Sequence, residues 1–505
     1  MAESSHNIRA DSLTDRQPQP SHANALHDSA GASSSTRTSA QNNTTPTAII
    51  VSKEKRRFIN ANSAVALPHI AGREIAASDP PRLHSYAWNL GIRPEKRGRV
   101  ATSLSDFLTH SDWQQLMSQY FTSVHPLVPF LSQESIISRA NSCWDRLETE
   151  PNFAAVVSGV ALLGSFFSAT PHPREEGIKM HCFSLLDTSL SNAAAMVDID
   201  SVAGWILRTL FVRLTTRPAM SCLASHISMH TAEILSLHRD LTDISSSAAG
   251  KEQFTNDYLD SRRRHYLVAW FLNQLLSREY GVAPVALPNA SSSYTPSGPD
   301  SSMDHIIAFG RILEASDDAG NVGMDSKEMA NLFVQLSEAA DTQPVVALFR
   351  ADVGMSLLRK FLAAGSRPSQ MIQKHGLGIM NSALESIPGL ISANHTWWNL
   401  LGLPFQLVCV SVAFDTNEFL SVLPAAMEKL RLIADRFDTH MAKEALSTAQ
   451  QLVAASKERT ASKLALKDTA LSHAMPAIDE VWMPMSDDFD ILGEWPLTFD
   501  FLGTG

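Results

Sequence analysis

The chain has 505 residues, of which 44% are hydrophobic and 18% charged, with a formal net charge of −11. The hydrophobic share suffices for a packed core, and the length suits one large domain with polar flanks as well as about three average domains. The acidic balance gives the whole chain no electrostatic footprint for nucleic acid, so any DNA contact is local or comes through a partner.

Residues 1–51 hold 15 Ser or Thr residues and no Phe, Trp or Tyr. Such a stretch has little apolar surface to offset ordering entropy, and residues 1–85 are expected to form a disordered arm. The first 21 residues contain no apolar run of the kind a secretory signal needs. Two basic clusters follow, Lys53, Lys55, Arg56 and Arg57, then Arg93, Lys96, Arg97 and Arg99 in a basic linker at residues 86–103. Short runs of this kind serve nuclear import or weak, salt-sensitive phosphate contact, since no aromatic platform or groove-reading motif accompanies them.

Ordered structure is expected from Leu104, with Ser105 capping a helix through Phe107, Trp113, Leu116, Tyr120 and Phe121. Residues 153–169 are free of charge, but Ala, Gly and Ser abound and Pro171 and Pro173 follow closely, which reads as a buried helix rather than a membrane span. A stripe of Leu223, Ile227, His230, Ile234 and Leu237 predicts a further buried helix face. Met427, Leu430, Ala434, Phe437 and Met441 behind Pro424 predict another. No period-two pattern stands out, so the expected class is all-α over residues 104–456, interrupted by a Ser/Pro/Gly-rich loop at 287–304. Cys143, Cys182, Cys222 and Cys409 form no CxxC pair and are expected to be reduced and mostly buried.

Beyond residue 456 lies a tail that carries no Lys or Arg after Lys467 and seven acidic residues within 479–505. There Asp487, Asp488, Asp490 and Asp500 stand among Trp482, Phe489, Ile491, Leu492, Trp495, Phe499 and Phe501. Carboxylates keep such aromatics solvated and ready to fold into a coactivator groove, which makes the tail a candidate activation segment.

Three segments in order resemble the large helical regulatory region of fungal zinc-cluster transcription factors, the fungal-specific transcription factor domain or middle homology region. The first is YFTSVHPLVPFL at 120–131, with Tyr120, Phe121, His125, Pro126 and Phe130. The second is AEILSLHRD at 232–240, with Leu237, His238, Arg239 and Asp240, where Ser236 stands in place of the family's usual Gly. The third is RRRHYLVAWFLNQLLSREYGVAPVAL at 262–287, with Arg262, Arg263, Arg264, Trp270, Gly281 and Pro284. The family helix often reads Asp-Arg where this chain has Asn273 and Gln274, so a family ion pair is missing or replaced.

The resemblance implies a nuclear transcriptional regulator whose helical scaffold can dimerise or hold an effector between helices. Within the family the likeness extends to regulators of fungal secondary metabolism, such as those of trichothecene clusters. The family reads DNA through six cysteines on two zinc ions, yet no cysteine precedes Cys143. The expectation is therefore recruitment by a DNA-binding partner or homodimer, or weak basic contacts, or an incomplete gene product. A corepressor or sequestering partner of a zinc-cluster factor is the alternative function.

No catalytic constellation, metal site or cofactor is expected. His226 and His230 have the spacing of helical zinc ligands, but Ile227 holds the place of a zincin's Glu, and His230, on the apolar stripe, reads as a core histidine. Residues 354–358 and 376–381 miss the glycines that a nucleophile elbow or a dinucleotide loop needs. The aspartates at 317–318, read as part of a Gly-rich turn, are not a helix-borne metal box.

Overall fold

The computed structural model describes residues 49–52, 57–60, 63–64, 66–81, 90–92, 103–191, 197–216, 218–240, 255–294, 301–321, 326–339 and 343–474. The architecture is all-α. The one exception among the described residues is a two-stranded antiparallel ribbon, β1 (Ile49–Ser52) with β2 (Arg57–Asn60), Ile49 opposite Asn60.

Two helices are buried on every side and organise the rest. The first is α4 (Pro151–Phe167), in which every residue from Phe153 on is buried. Around it pack α2 (His110–Ser123), α5 (Glu175–Ser191) and α6 (Ile199–Thr215), while α3 (Gln133–Cys143) leads into it through a 3₁₀ stretch. A helix that is apolar all round belongs inside a large core, which accounts for the uncharged run. Among the described residues no single helix is long and apolar enough to cross a membrane.

After α6 the chain continues through α7 (Pro218–Ile234), α8 (Asn256–Tyr280), α9 (Ser302–Asn321) and α10 (Ser326–Glu338), then α11 (Pro344–Ala363) and α12 (Gln370–Ser392). The second central helix is α13 (Asn399–Phe414), with α14 (Asn417–Ser421), α15 (Leu423–Phe437) and α16 (His440–Ala474) following. α11, α15 and α16 pack on α13. The carboxyl end of α4 meets the start of α13 in an aromatic junction. Phe167 lies 5.0 Å from Trp397 between ring centroids, and Phe349 lies 5.6 and 5.1 Å from Trp397 and Trp398. Asn394 Nδ2 ties the junction by donating to the carbonyls of Phe167 and Ser168 at 3.1 and 3.2 Å.

Several boundaries differ from those expected. Ser105 lies in a 3₁₀ turn, and the cap of α2 is Thr109, whose hydroxyl accepts from Asp112 N at 3.1 Å while Asp112 returns a bond to Thr109 N. That reciprocal pair is a capping box, which satisfies two of the amide groups a helix start leaves open. The packed chain also begins upstream of residue 104. α1 (Leu67–Glu74) lies against α13 with Leu67 and Ala71 buried, and Ala64 N donates to Glu279 O at 3.2 Å. At the other end α16 continues past residue 456 to Ala474. The loop expected at 287–304 gives way to α9 at Ser302. Pro424 lies in the first turn of α15 as expected, and Leu430 and Ala434 are buried there.

Of the stripe expected from Leu223 to Leu237, Leu237 is buried and Ile227 half-buried, but the other three residues face outward. Leu223 is 54% and Ile234 69% exposed, and His230 is an exposed residue hydrogen-bonded to Glu233 at 3.1 Å, not a core histidine. The buried face is instead Cys222, Ser225, Ser228, Met229 and Ala232, mostly small residues that let α6 and α8 approach closely. Asp317 sits in α9 rather than in a turn. The four cysteines are free and buried, as expected.

Candidate functional site: the motif helices and a buried ionic cluster

The three sequence motifs meet in space. α7 ends in a Schellman turn, in which Ser236 N donates to Glu233 O at 2.8 Å and Leu237 N to Ala232 O at 2.9 Å. Ser236 sits there at φ +51°, a left-handed conformation that favours glycine, and this is the position where the family's Gly would stand. The first arginine of the third motif closes the same end: Arg262 Nη2 donates to the carbonyls of Leu235 and Ser236, both at 3.1 Å, placing a cation at a helix carboxyl terminus. Arg263 pairs with Asp240 at 2.7 Å, and Arg239 is exposed.

Leu237 and His238 are buried between α7 and α8, and the His238 carbonyl accepts from Ser291 N and Ser292 N at 2.9 and 3.0 Å. Burial and Arg239 push the His238 imidazole below its ordinary pKa, so it is neutral near pH 7.

The first motif packs on the third. Tyr120 and Phe130 are buried, Phe130 meets His265 edge-on at 5.2 Å, and burial pushes His265 down to about 4. Phe121 and His125 have ring centroids 4.9 Å apart. His125, Pro126, Arg264, Tyr294 and Met303 line a surface cavity of about 310 Å³. The first and third motifs thus share one interhelical cavity.

Trp270 is buried in α8, whose carboxyl end is capped by Gly281 at φ +79°. Asn273, fully buried, holds the turn that carries Pro284. Val285 N donates to Asn273 Oδ1 at 2.7 Å, and Asn273 Nδ2 donates to Ser225 Oγ at 3.2 Å on α7. A neutral amide at this place both accepts and donates without burying a charge. The next residue, Gln274, receives Arg278, which also pairs with Asp317 on α9, and Lys360 Nζ on α11 reaches the same carboxylate at 2.7 Å. An ionic link between α8, α9 and α11 thus starts one helical turn beyond the positions of the family's Asp-Arg and reaches back to Gln274.

A further cluster was not singled out from the sequence. Arg213 of α6 is 1% exposed, grips Glu279 of α8 with two donors, and lies 4.7 Å over the Trp398 ring. Close by on α11 are Asp352 and Arg359, whose Nη1 donates to Gln406 Oε1 on α13 at 2.6 Å. Burial and Glu279 raise the Asp352 carboxyl to about 7, opposed by Arg213, Arg359 and Asn399, and burial lowers Arg359 to about 10. The signal that could have found it is a charge inside an apolar helical run, as in the α6 sequence WILRTLFVRLT. These pairs tie α6, α8, α11 and α13 in one register.

Burial raises the thiols of Cys222 and Cys182 to about 11 and about 12 and keeps them protonated. Among the described residues no group of three or more His, Cys, Asp or Glu is placed to hold a metal ion. Lys53, Lys55, Arg56, Arg93, Lys96, Arg97 and Arg99 lie outside the described residues, and Arg57 opens β2. Trp482, Asp487, Asp488, Phe489, Asp490, Ile491, Leu492, Trp495, Phe499, Asp500 and Phe501 also lie outside them.

Residues 117–309, which contain most of these motif contacts, match the fungal specific transcription factor domain. Protein RDR1 of Saccharomyces cerevisiae is 30% identical over 407 residues, covering 80% of this chain and 73% of that protein. Transcription factor kojR of Aspergillus oryzae is 27% identical over 439 residues, covering 86% and 78%. A probable transcriptional repressor of Schizosaccharomyces pombe is 25% identical over 283 residues, covering 55% and 59%. No solved structure matches. With motif helices, all-α scaffold and relatives that match over most of the chain in agreement, the chain belongs to the fungal-specific transcription factor domain family.

Proposed function

We propose that the chain is a nuclear transcriptional activator of a fungal secondary-metabolite gene cluster, brought to promoters mainly through a DNA-binding partner. Membership in a transcription factor family supports the regulatory part of this reading. The observation that carries activation is the composition of residues 479–505, seven acidic residues among large aromatics and no Lys or Arg. Such a segment folds on binding, its apolar side chains entering a coactivator groove while its carboxylates steer the encounter. The basic clusters at 53–57 and 93–99 serve nuclear import in this reading.

Deletion of residues 479–505 tests it. Target transcription is expected to fall to the basal level, while circular dichroism reports an unchanged helical unit. Transcription that persists undiminished overturns the activation assignment. The repressor among the relatives favours a second reading, a corepressor that acts on a cluster-bearing factor. In that case the same deletion leaves repression of the targets intact.

A further inference from the structure

The outward face of α7 repeats at intervals of three and four residues. Met220, Leu223 and Ile234 are 45%, 54% and 69% exposed, His230 is exposed, and Ile227 is half-buried. Steps of three, four, three and four put all five on one stripe, the spacing of the seam in a two-helix coiled coil. The opposite face of the same helix already packs on α6 and α8, so the stripe lies on an outer side of the folded unit. The turn after α8 widens the apolar surface. It lies beside α7, with His226 Nε2 3.3 Å from the Ala283 carbonyl oxygen, and Val282 in that turn is 42% exposed. Single apolar residues scattered over a surface need no partner, but four in line along two heptads mark a surface that is covered.

Charge selects the occupant and its direction. α7 carries no Lys, Arg or Asp, and its one carboxylate, Glu233, is already bonded to His230 at 3.1 Å. A strongly acidic or basic partner finds nothing on this stripe to pair with, whereas an equally apolar one fits. A second copy of the chain brings such a stripe. With Ile227 at its midpoint and an apolar residue at either end, the stripe meets itself across a two-fold axis. Parallel pairing would set Glu233 beside its own copy, two like charges at one level. Antiparallel pairing sets Met220 opposite Ile234 and Leu223 opposite His230, and it brings Glu233 level with Ser221 of the second copy, in the first turn of α7. The open amide groups and positive dipole end of that turn suit a carboxylate.

We propose that the outward stripe of α7, Met220, Leu223, Ile227 and Ile234, is a self-association surface through which two copies of the chain pair antiparallel about a two-fold axis at Ile227. A contact of two heptads is short, so a dissociation constant of about 10 μM is expected.

Sedimentation velocity of the full chain from about 1 to 100 μM tests the surface, with wild type compared to M220E/L223E. Both positions are exposed and lie early in the helix, where Glu is well accommodated, so circular dichroism should report an unchanged helical unit. Wild type is expected to pass from monomer to dimer across this range and the variant to stay monomeric, because its new carboxylates face the Ile234 and Glu233 end of the second copy. A bifunctional maleimide with a short spacer then reads the direction of pairing, since the four native cysteines are buried. I227C should give a dimer-sized product, whereas I234C should not, its two copies standing about 21 Å apart along the paired helices. Product from both positions alike overturns the antiparallel contact. Wild type that stays monomeric throughout overturns the pairing and leaves the stripe to a different protein. A dimer that persists undiminished in M220E/L223E overturns it too, because the contact then lies elsewhere on the chain.

Discussion

Ser236 and Asp352 are two single residues where local physics sets a measurable consequence. At φ +51° Ser236 bears the steric cost of a Cβ in a left-handed turn. Ser236→Gly is therefore expected to stabilise the folded chain by about 1 kcal/mol, read as a rise in the thermal midpoint. A lowered midpoint would mean that the serine hydroxyl holds the turn. Asp352 works through pH. Its folded carboxyl titrates near 7 against an ordinary 3.8, so the native state keeps a proton that the unfolded state has released. Its contribution therefore falls as pH rises from about 4 to about 7 and is constant above. Asp352→Asn removes that slope. The midpoint of the variant, relative to wild type, should climb across this window and then level off, and a flat difference would contradict the assigned titration.

At the scale of helices, α4 depends on close approach. A Cβ built on Gly164 would stand 1.9 Å from the Leu116 carbonyl oxygen on α2, a backbone atom that cannot swing aside. Gly164→Ala is expected to force α2 off α4 and to cost about 3 kcal/mol or more; a loss under about 1 kcal/mol in denaturant unfolding would show that the two helices part easily. The same principle explains where the sequence reading failed. On α7 the larger residues Leu223, Ile227 and Ile234 made a convincing stripe, yet the helix is buried through Cys222, Ser225, Ser228 and Ala232. Periodicity ranks residues by hydrophobicity, whereas the close approach of α7 to α6 and α8 selects for small size. α4 and α15 were legible because their apolar residues are also the ones that pack. Thr109 was missed as a cap because Ser105 offers the same chemistry four residues earlier.

At the scale of the whole molecule, the motifs were legible as motifs, and their assembly was not. Arg262 and Leu235 lie far apart in sequence and meet only because α8 returns along α7. Arg213 and Glu279, 66 residues apart, bond through the core by the same folding back. No local pattern announces such a pair, since each partner looks like an isolated charge in an apolar helix. The scaffold that results is closely packed at its centre, and its last described helix is exposed over most of its second half.

Genome-wide chromatin occupancy of the tagged full-length chain, in the organism that carries it, tests the regulatory role most directly. Focused peaks at promoters are expected, with a shared sequence motif that belongs to the partner's binding site and is lost when that partner is removed. A flat profile with the protein held in the cytoplasm would contradict it.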